Sequence, residues 1–222
     1  MSEQEQKPFL TVETGEAYQP IRLTYDIFKK DPLIKALNSL KCCEKNSSQP
    51  HSWNWIWRDE CNDLQCESIE SFQKDQKNPV RLATLTMRDN KLYISLSSFK
   101  RACLAVPFFH QSINPEYAHI LRADFINKVF GLDERLPHGF GELFKEEELD
   151  KFSKKRIADY DAVQKKVEEA TTAEEAFTVL SQYTKSESKK KLPFAERYEF
   201  QQLDSHEDPD TTFLSFYIFL RG

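Results

Sequence analysis

The sequence is poor in the features that usually announce a function. Only 5 of its 222 residues are glycine. It contains no glycine-rich phosphate loop, dinucleotide fingerprint, nucleophile elbow or His-Glu-x-x-His pair. No apolar run approaches the roughly 20 residues that a membrane-spanning helix needs; the longest, residues 213–220, is interrupted by Ser215. Residues 1–20 are polar and acidic and lack the apolar stretch of a secretory leader. These absences together predict a soluble, cytoplasmic protein with no membrane partner. The 5 cysteines, Cys42, Cys43, Cys61, Cys66 and Cys103, are odd in number. Without an export signal they are expected as reduced thiols. Basic excess is also missing. A net charge of -5 argues against generic attraction to nucleic acid or anionic lipid, while leaving room for a local basic patch.

Aromatic rings are what the chain has in quantity: 17 Phe, 8 Tyr and 3 Trp. Each buried ring removes roughly 150–250 Å² from water, so rings must build much of the core. Ile21, Leu23, Tyr25 and Ile27 alternate with polar residues, as in a strand buried on one face. Asp31-Pro32 reads as a helix start with Asp31 as cap, followed by the stripe Leu33, Ile34, Leu37 and Leu40. Trp53, Trp55 and Trp57 share one face of a further strand, and residues 58–79 read as a long loop. Residues 80–87 and 92–97 read as a β-hairpin turning at Asp89-Asn90, with Met87 facing Leu92, Leu85 facing Ile94 and Ala83 facing Leu96.

Helical signals then dominate. Ser98 caps a short helix stopped by Pro107. Asn114-Pro115 opens another, with Tyr117, Leu121, Phe125 and Val129 as its stripe and Gly131 at its end. A charged helix over residues 145–170 carries Leu149, Phe152, Ile157, Tyr160, Val163 and Val167. Thr172 and Glu175 form a capping box for a partner helix with Ala176, Phe177, Leu180 and Tyr183 inward. Strands return with Phe194, Tyr198 and Phe200, and with residues 213–220, apolar on both faces.

The fold expected is α+β: an antiparallel sheet formed from N- and C-terminal strands, with an inserted helical segment packed on it. The chain reads as a single domain, 1–222, with strands and one helix over 9–97, the helical insertion over 98–184 and C-terminal strands over 192–220.

Candidate functional residues are few. His138, Gly139, Gly141 and Glu142 share a loop in which glycine would let backbone approach a ligand, His138 would titrate near neutrality and Glu142 would orient it. The plainer reading is a turn between helices. His110 and His119 are further acid–base candidates. A Cys103, His110, His119 and Asp124 constellation has no supporting motif, because Cys103 falls on an apolar helix side where thiols are usually inert. Trp53, Trp55 and Trp57 offer faces that could stack bases, or they are core. Cys42, Cys43, His51, Cys61 and Cys66 have the wrong spacing for a zinc knuckle. Neither a metal nor a cofactor is expected. The function these signals favour is a non-catalytic binding or adaptor protein with a protein partner. A single-stranded nucleic-acid or RNA binder is one alternative, and an enzyme of unrecognised type using His138 and Glu142 is another.

Overall fold

A computed structural model of the chain describes residues 8–57, 80–136 and 139–200. The elements follow in the order β1 (Ile21–Ile27), α1 (Lys30–Ser39), β2 (Cys43–Lys45), β3 (Ser52–Ile56), β4 (Arg81–Arg88), β5 (Lys91–Leu96), α2 (Phe99–Ser112), β6 (Ala118–Ile126), α3 (Phe140–Leu143), α4 (Glu146–Glu168), α5 (Ala173–Glu187) and β7 (Ala195–Glu199). The seven strands make one antiparallel sheet in the order β2-β3-β4-β5-β1-β6-β7, so the fold is α+β. Among the described residues no helix is long and apolar enough to cross a membrane.

Alternation in the strands gives the sheet two unlike faces. On one face Leu23, Trp53, Trp55, Leu85, Ile94 and Phe125 are buried together with Leu33 and Leu37 of α1 and Ala102, Val106 and Phe109 of α2. The β4–β5 hairpin has the register its sequence requires, Met87 to Leu92, Leu85 to Ile94 and Ala83 to Leu96. Its turn residues Asp89 and Asn90 have φ of 50° and 56°, the left-handed values that match the twist of the flanking strands. Ser98 caps α2 as expected, its hydroxyl accepting from the Arg101 amide at 3.1 Å.

Several local expectations give way to tertiary packing. Residues 118–126 form β6, not a helix, so a strand runs through the expected helical insertion and lies between β1 and β7. Asn114-Pro115 opens a turn, in which the Tyr117 amide donates to Asn114 O at 2.8 Å. The register between β1 and β6 shifts at Thr24/Tyr25. That irregularity offsets the strand's alternation and makes Leu121 and Phe125 resemble a helical spacing. Pro107 does not stop α2, which continues to Ser112; Phe108 and Phe109 lie against Trp55 with ring centroids 5.1 Å away in each case, and their packing outweighs one missing helical hydrogen bond. Asp31 is not the cap of α1, because the helix begins at Lys30 with Lys29 at its N-cap. The expected strand over 213–220, the loop over 58–79, Pro137 and His138 lie outside the described residues.

A smaller cluster of Ile126, Phe130, Leu143, Phe144 and Leu149 sits under the start of α4. It joins the segment after β6 to the N-terminal residues, where Phe9 bridges to Gly131.

Candidate functional site

The second face of the sheet carries charge. Strand pairing sets Arg22 of β1 opposite Asp124 of β6, and Asp124 opposite Arg197 of β7. Three neighbouring strands therefore present Arg, Asp and Arg in one row. Asp124 is fully enclosed. Arg22 donates to its Oδ2 from Nε at 3.1 Å and from Nη2 at 2.7 Å, and Arg197 donates from Nε to Oδ1 at 2.7 Å. The Arg197 side chain is 0% exposed and that of Arg22 is 6% exposed. Two enclosed cations on one anion leave an uncompensated charge, which is costly away from water.

Helix α4 supplies the remaining anions. Glu146, its first residue, accepts from Arg22 Nη2 at 2.5 Å, from Arg197 Nη2 at 2.6 Å and from Arg122 Nη2 at 3.0 Å. One turn later Asp150 accepts from Arg197 Nη1. The spacing of four places both carboxylates on one side of the helix. Three guanidiniums thus meet three carboxylates. The Arg22 guanidinium also lies over the rings of Phe144 and Tyr93, at 5.1 and 5.7 Å. Burial pushes the Glu146 carboxyl up, but the Arg197 hydrogen bond and the charges of Arg22, Arg122 and Arg197 outweigh it and hold it below the ordinary carboxylate range. For Arg197 burial works to discharge the guanidinium; bonds and charges from Asp124 and Glu146 win, so it stays firmly protonated.

The network fixes where an αα-hairpin stands. Among the described side chains of α4, Leu149 and Ser153 are the buried ones, and both lie in its first two turns. The rest of the helix packs along α5, with Val163 and Val167 of α4 and Ala176, Val179 and Tyr183 of α5 half-buried. No residue of α5 is buried. Phe177 and Leu180, expected to face inward, are 73% and 46% exposed, and Tyr160 and Phe152 of α4 are exposed as well. A two-helix contact this narrow covers only the Ala176, Val179 and Tyr183 side of α5, and Phe177 lies outside it.

The residues singled out by sequence are scattered. Trp53 and Trp55 are 1% and 0% exposed. The Trp53 indole donates to Asn38 Oδ1 at 2.8 Å, and Trp55 is enclosed by Phe108 and Phe109, so neither face is open for stacking. Trp57 is half-buried just past β3. Glu142, in α3, is exposed and lines an open groove of about 450 Å³ with Lys128, Phe130, Glu134, Leu143 and Phe194. Gly139 precedes α3 in extended backbone (φ -176°), and neither it nor Gly141 would bring an added Cβ within 4 Å of another group. Gly139 is thus the extended N-cap of α3 and Gly141 lies within that helix, and neither has a positive φ that would require glycine. His110 is exposed in the last turn of α2, and His119 sits on β6 with its ring 4.8 Å from that of Phe28. Neither lines the groove. Cys42 and Cys43 are buried; among the described residues no three His, Cys, Asp or Glu side chains are grouped to hold a metal ion.

Arg22 and Arg197 alternate with the apolar residues Ile21, Leu23 and Tyr198, Phe200, a pattern that by itself does not distinguish a solvated side from one covered by a helix. The signal that finds them is register, since only pairing shows that Arg22, Asp124 and Arg197 share a row. Comparison with protein-family models, with curated proteins and with solved structures finds no match to this chain.

Proposed function

We propose that this chain is a non-catalytic binding protein that meets a protein partner through its αα-hairpin. One observation carries the reading: α5 is a 15-residue helix with no buried residue, and it holds Phe177 at 73% and Leu180 at 46% exposure. Covering a Phe or Leu side chain is worth about 1.5–3 kcal/mol each. An apolar helix side raised on a hairpin is the form taken by helix-in-groove partners, with anchors three and four residues apart. The Glu146 and Asp150 contacts to the strands give this hairpin a fixed footing, which lowers the entropy lost on association.

The test compares the full chain with a Phe177→Asp, Leu180→Asp variant. Both positions are exposed, so helicity by circular dichroism and the urea midpoint should hold. A partner that co-purifies in fixed stoichiometry with the unaltered chain should be lost from the variant. Equal retention of that partner by both proteins removes the hairpin from the interface.

A further inference from the structure

On the strands, Arg22 and Arg197 share one buried carboxylate, Asp124, and among the described residues Arg122 on the same face pairs only with Glu146 of α4. That half of the network carries a charge of +2, and the two carboxylates of α4 bring it to zero. The three acids are not equivalent. Asp124 is 0% exposed, whereas Glu146 and Asp150 are 49% and 50% exposed. Water therefore reaches the anions that α4 contributes but not the one fixed in the sheet.

The cradle also holds donors that Glu146 leaves without a partner. Arg122 Nε is enclosed and makes no hydrogen bond. Thr24, directly opposite Arg122 in the β1–β6 register, is 0% exposed and its Oγ1 is likewise unpaired. Each such group normally costs stability unless something binds it. Both belong to the same sheet face as the Arg22–Asp124–Arg197 row. Glu199, opposite Arg122 on β7, is exposed and makes no ion pair with the cradle among the described residues.

We propose that Arg22, Arg122 and Arg197 form a binding site for a phosphate dianion, kept closed by the carboxylates of Glu146 and Asp150. A carboxylate offers two oxygens. A phosphate offers three or more, carries the two negative charges that match the strands' +2, and suits forked guanidinium recognition. Its third oxygen is the feature that can engage Arg122 Nε or Thr24 Oγ1 while the others replace Glu146. Binding and the docking of α4's first turn therefore compete for the same guanidiniums. The site shares the Glu146 and Asp150 contacts with the hairpin's footing but makes no use of Phe177 and Leu180, the side of α5 proposed to meet a partner.

The experiment titrates the full chain with inorganic phosphate and, separately, with glycerol phosphate, followed by calorimetry at constant ionic strength. Removing the competing charge in Glu146→Gln should tighten phosphate binding by about tenfold relative to the unaltered chain. Adding Arg122→Gln to that variant should abolish the gain. Arg122→Lys, which keeps the charge but loses the fork and Nε, should retain only part of it and guards against simple misfolding. Equal affinity for the two probes assigns the site to the dianionic end alone, and tighter binding of glycerol phosphate assigns it to a phosphate ester. The proposal is overturned if folded Glu146→Gln shows no saturable binding of either probe, or if its binding survives loss of Arg122.

Discussion

The two faces of this sheet are held by different physics. On the face covered by α1 and α2, Leu23, Trp53, Trp55, Ile94 and Phe125 are buried against Leu33, Leu37, Val106 and Phe109. That contact is non-directional, and its strength follows the apolar area removed from water. On the other face α4 is tied down by carboxylates meeting Arg22, Arg122 and Arg197. Here direction, register and ionisation all matter. A slip of one residue between β1 and β6 would send Asp124 through the sheet to the apolar side. The apolar face supplies stability that tolerates variation in shape, and the charged face makes the pairing of β1, β6 and β7 specific.

The sharpest way to break this contrast is to remove one group from each face. Asp124→Ala leaves Arg22 and Arg197 enclosed without their shared counter-ion and should cost about 3–5 kcal/mol. Leu23→Ala, on the same strand pair but the opposite face, should cost about 2–5 kcal/mol through lost burial and a cavity. Urea unfolding gives both numbers. The two losses should differ in kind: replacing Leu23 by Met should restore most of the stability, while replacing Asp124 by Asn, isosteric but uncharged, should not. If Asp124→Asn is as stable as the unaltered chain, the row is held by shape and hydrogen bonding, and charge contributes little.

Acid separates the faces more gently. Glu146 titrates below the ordinary value of 4.5: burial pushes it up, but Arg197 and the neighbouring arginines hold it down more strongly. A carboxyl depressed in the folded state stabilises fully above its unfolded pKa, and that contribution disappears as pH falls through the folded value. Lowering the pH from 7 towards about 3 should therefore release the first turns of α4 before β4 and β5 lose protection, because the β4–β5 pairing rests on backbone bonds and on the buried Leu85, Leu92 and Ile94, with acids only at its margins in the Lys91–Asp26 and Arg101–Glu16 pairs. Hydrogen exchange followed segment by segment reads this directly. Simultaneous loss of protection in α4 and in the β4–β5 hairpin would mean that the charged face does not open on its own.

What was legible in the sequence follows the same division. The β4–β5 register and its turn could be read from alternation and from Asp89-Asn90, because a hairpin is local and its two halves report on each other. Ser98 and Thr172 could be read as caps for the same reason. Residues 118–126 could not. Their helix-like spacing reflects an irregular pairing with β1, nearly a hundred residues earlier in the chain, and local pattern contains no information about it. The arginines were hidden by a different effect. A charge on the polar side of a strand looks identical whether it faces water or a helix, and only α4 distinguishes them. Of the candidate residues, the tryptophans were visible as a stripe, but the enclosure of Trp55 by Phe108 and Phe109 depends on α2 continuing past Pro107, against its local signal.

The mildest test asks whether the hairpin is energetically part of the body at all. The Thr172 hydroxyl accepts from the Glu175 amide at 3.2 Å, while the Glu175 carboxylate accepts from the Thr171 amide and hydroxyl at 2.9 and 2.8 Å. These bonds satisfy donors at the start of α5 that have no partner within the helix. Thr172→Ala should cost α5 about 0.5–2 kcal/mol. No residue of α5 is buried, so little of that loss has a route to the sheet. Exchange protection in α5 should fall while the urea midpoint of the sheet, followed by tryptophan fluorescence from the buried Trp53 and Trp55, stays within about 0.5 kcal/mol of its original value. If the midpoint moves by the full amount, α5 unfolds together with the sheet. The ion pairs of Glu146 and Asp150 would then be joints through which stability is shared, and the two faces would form one cooperative unit.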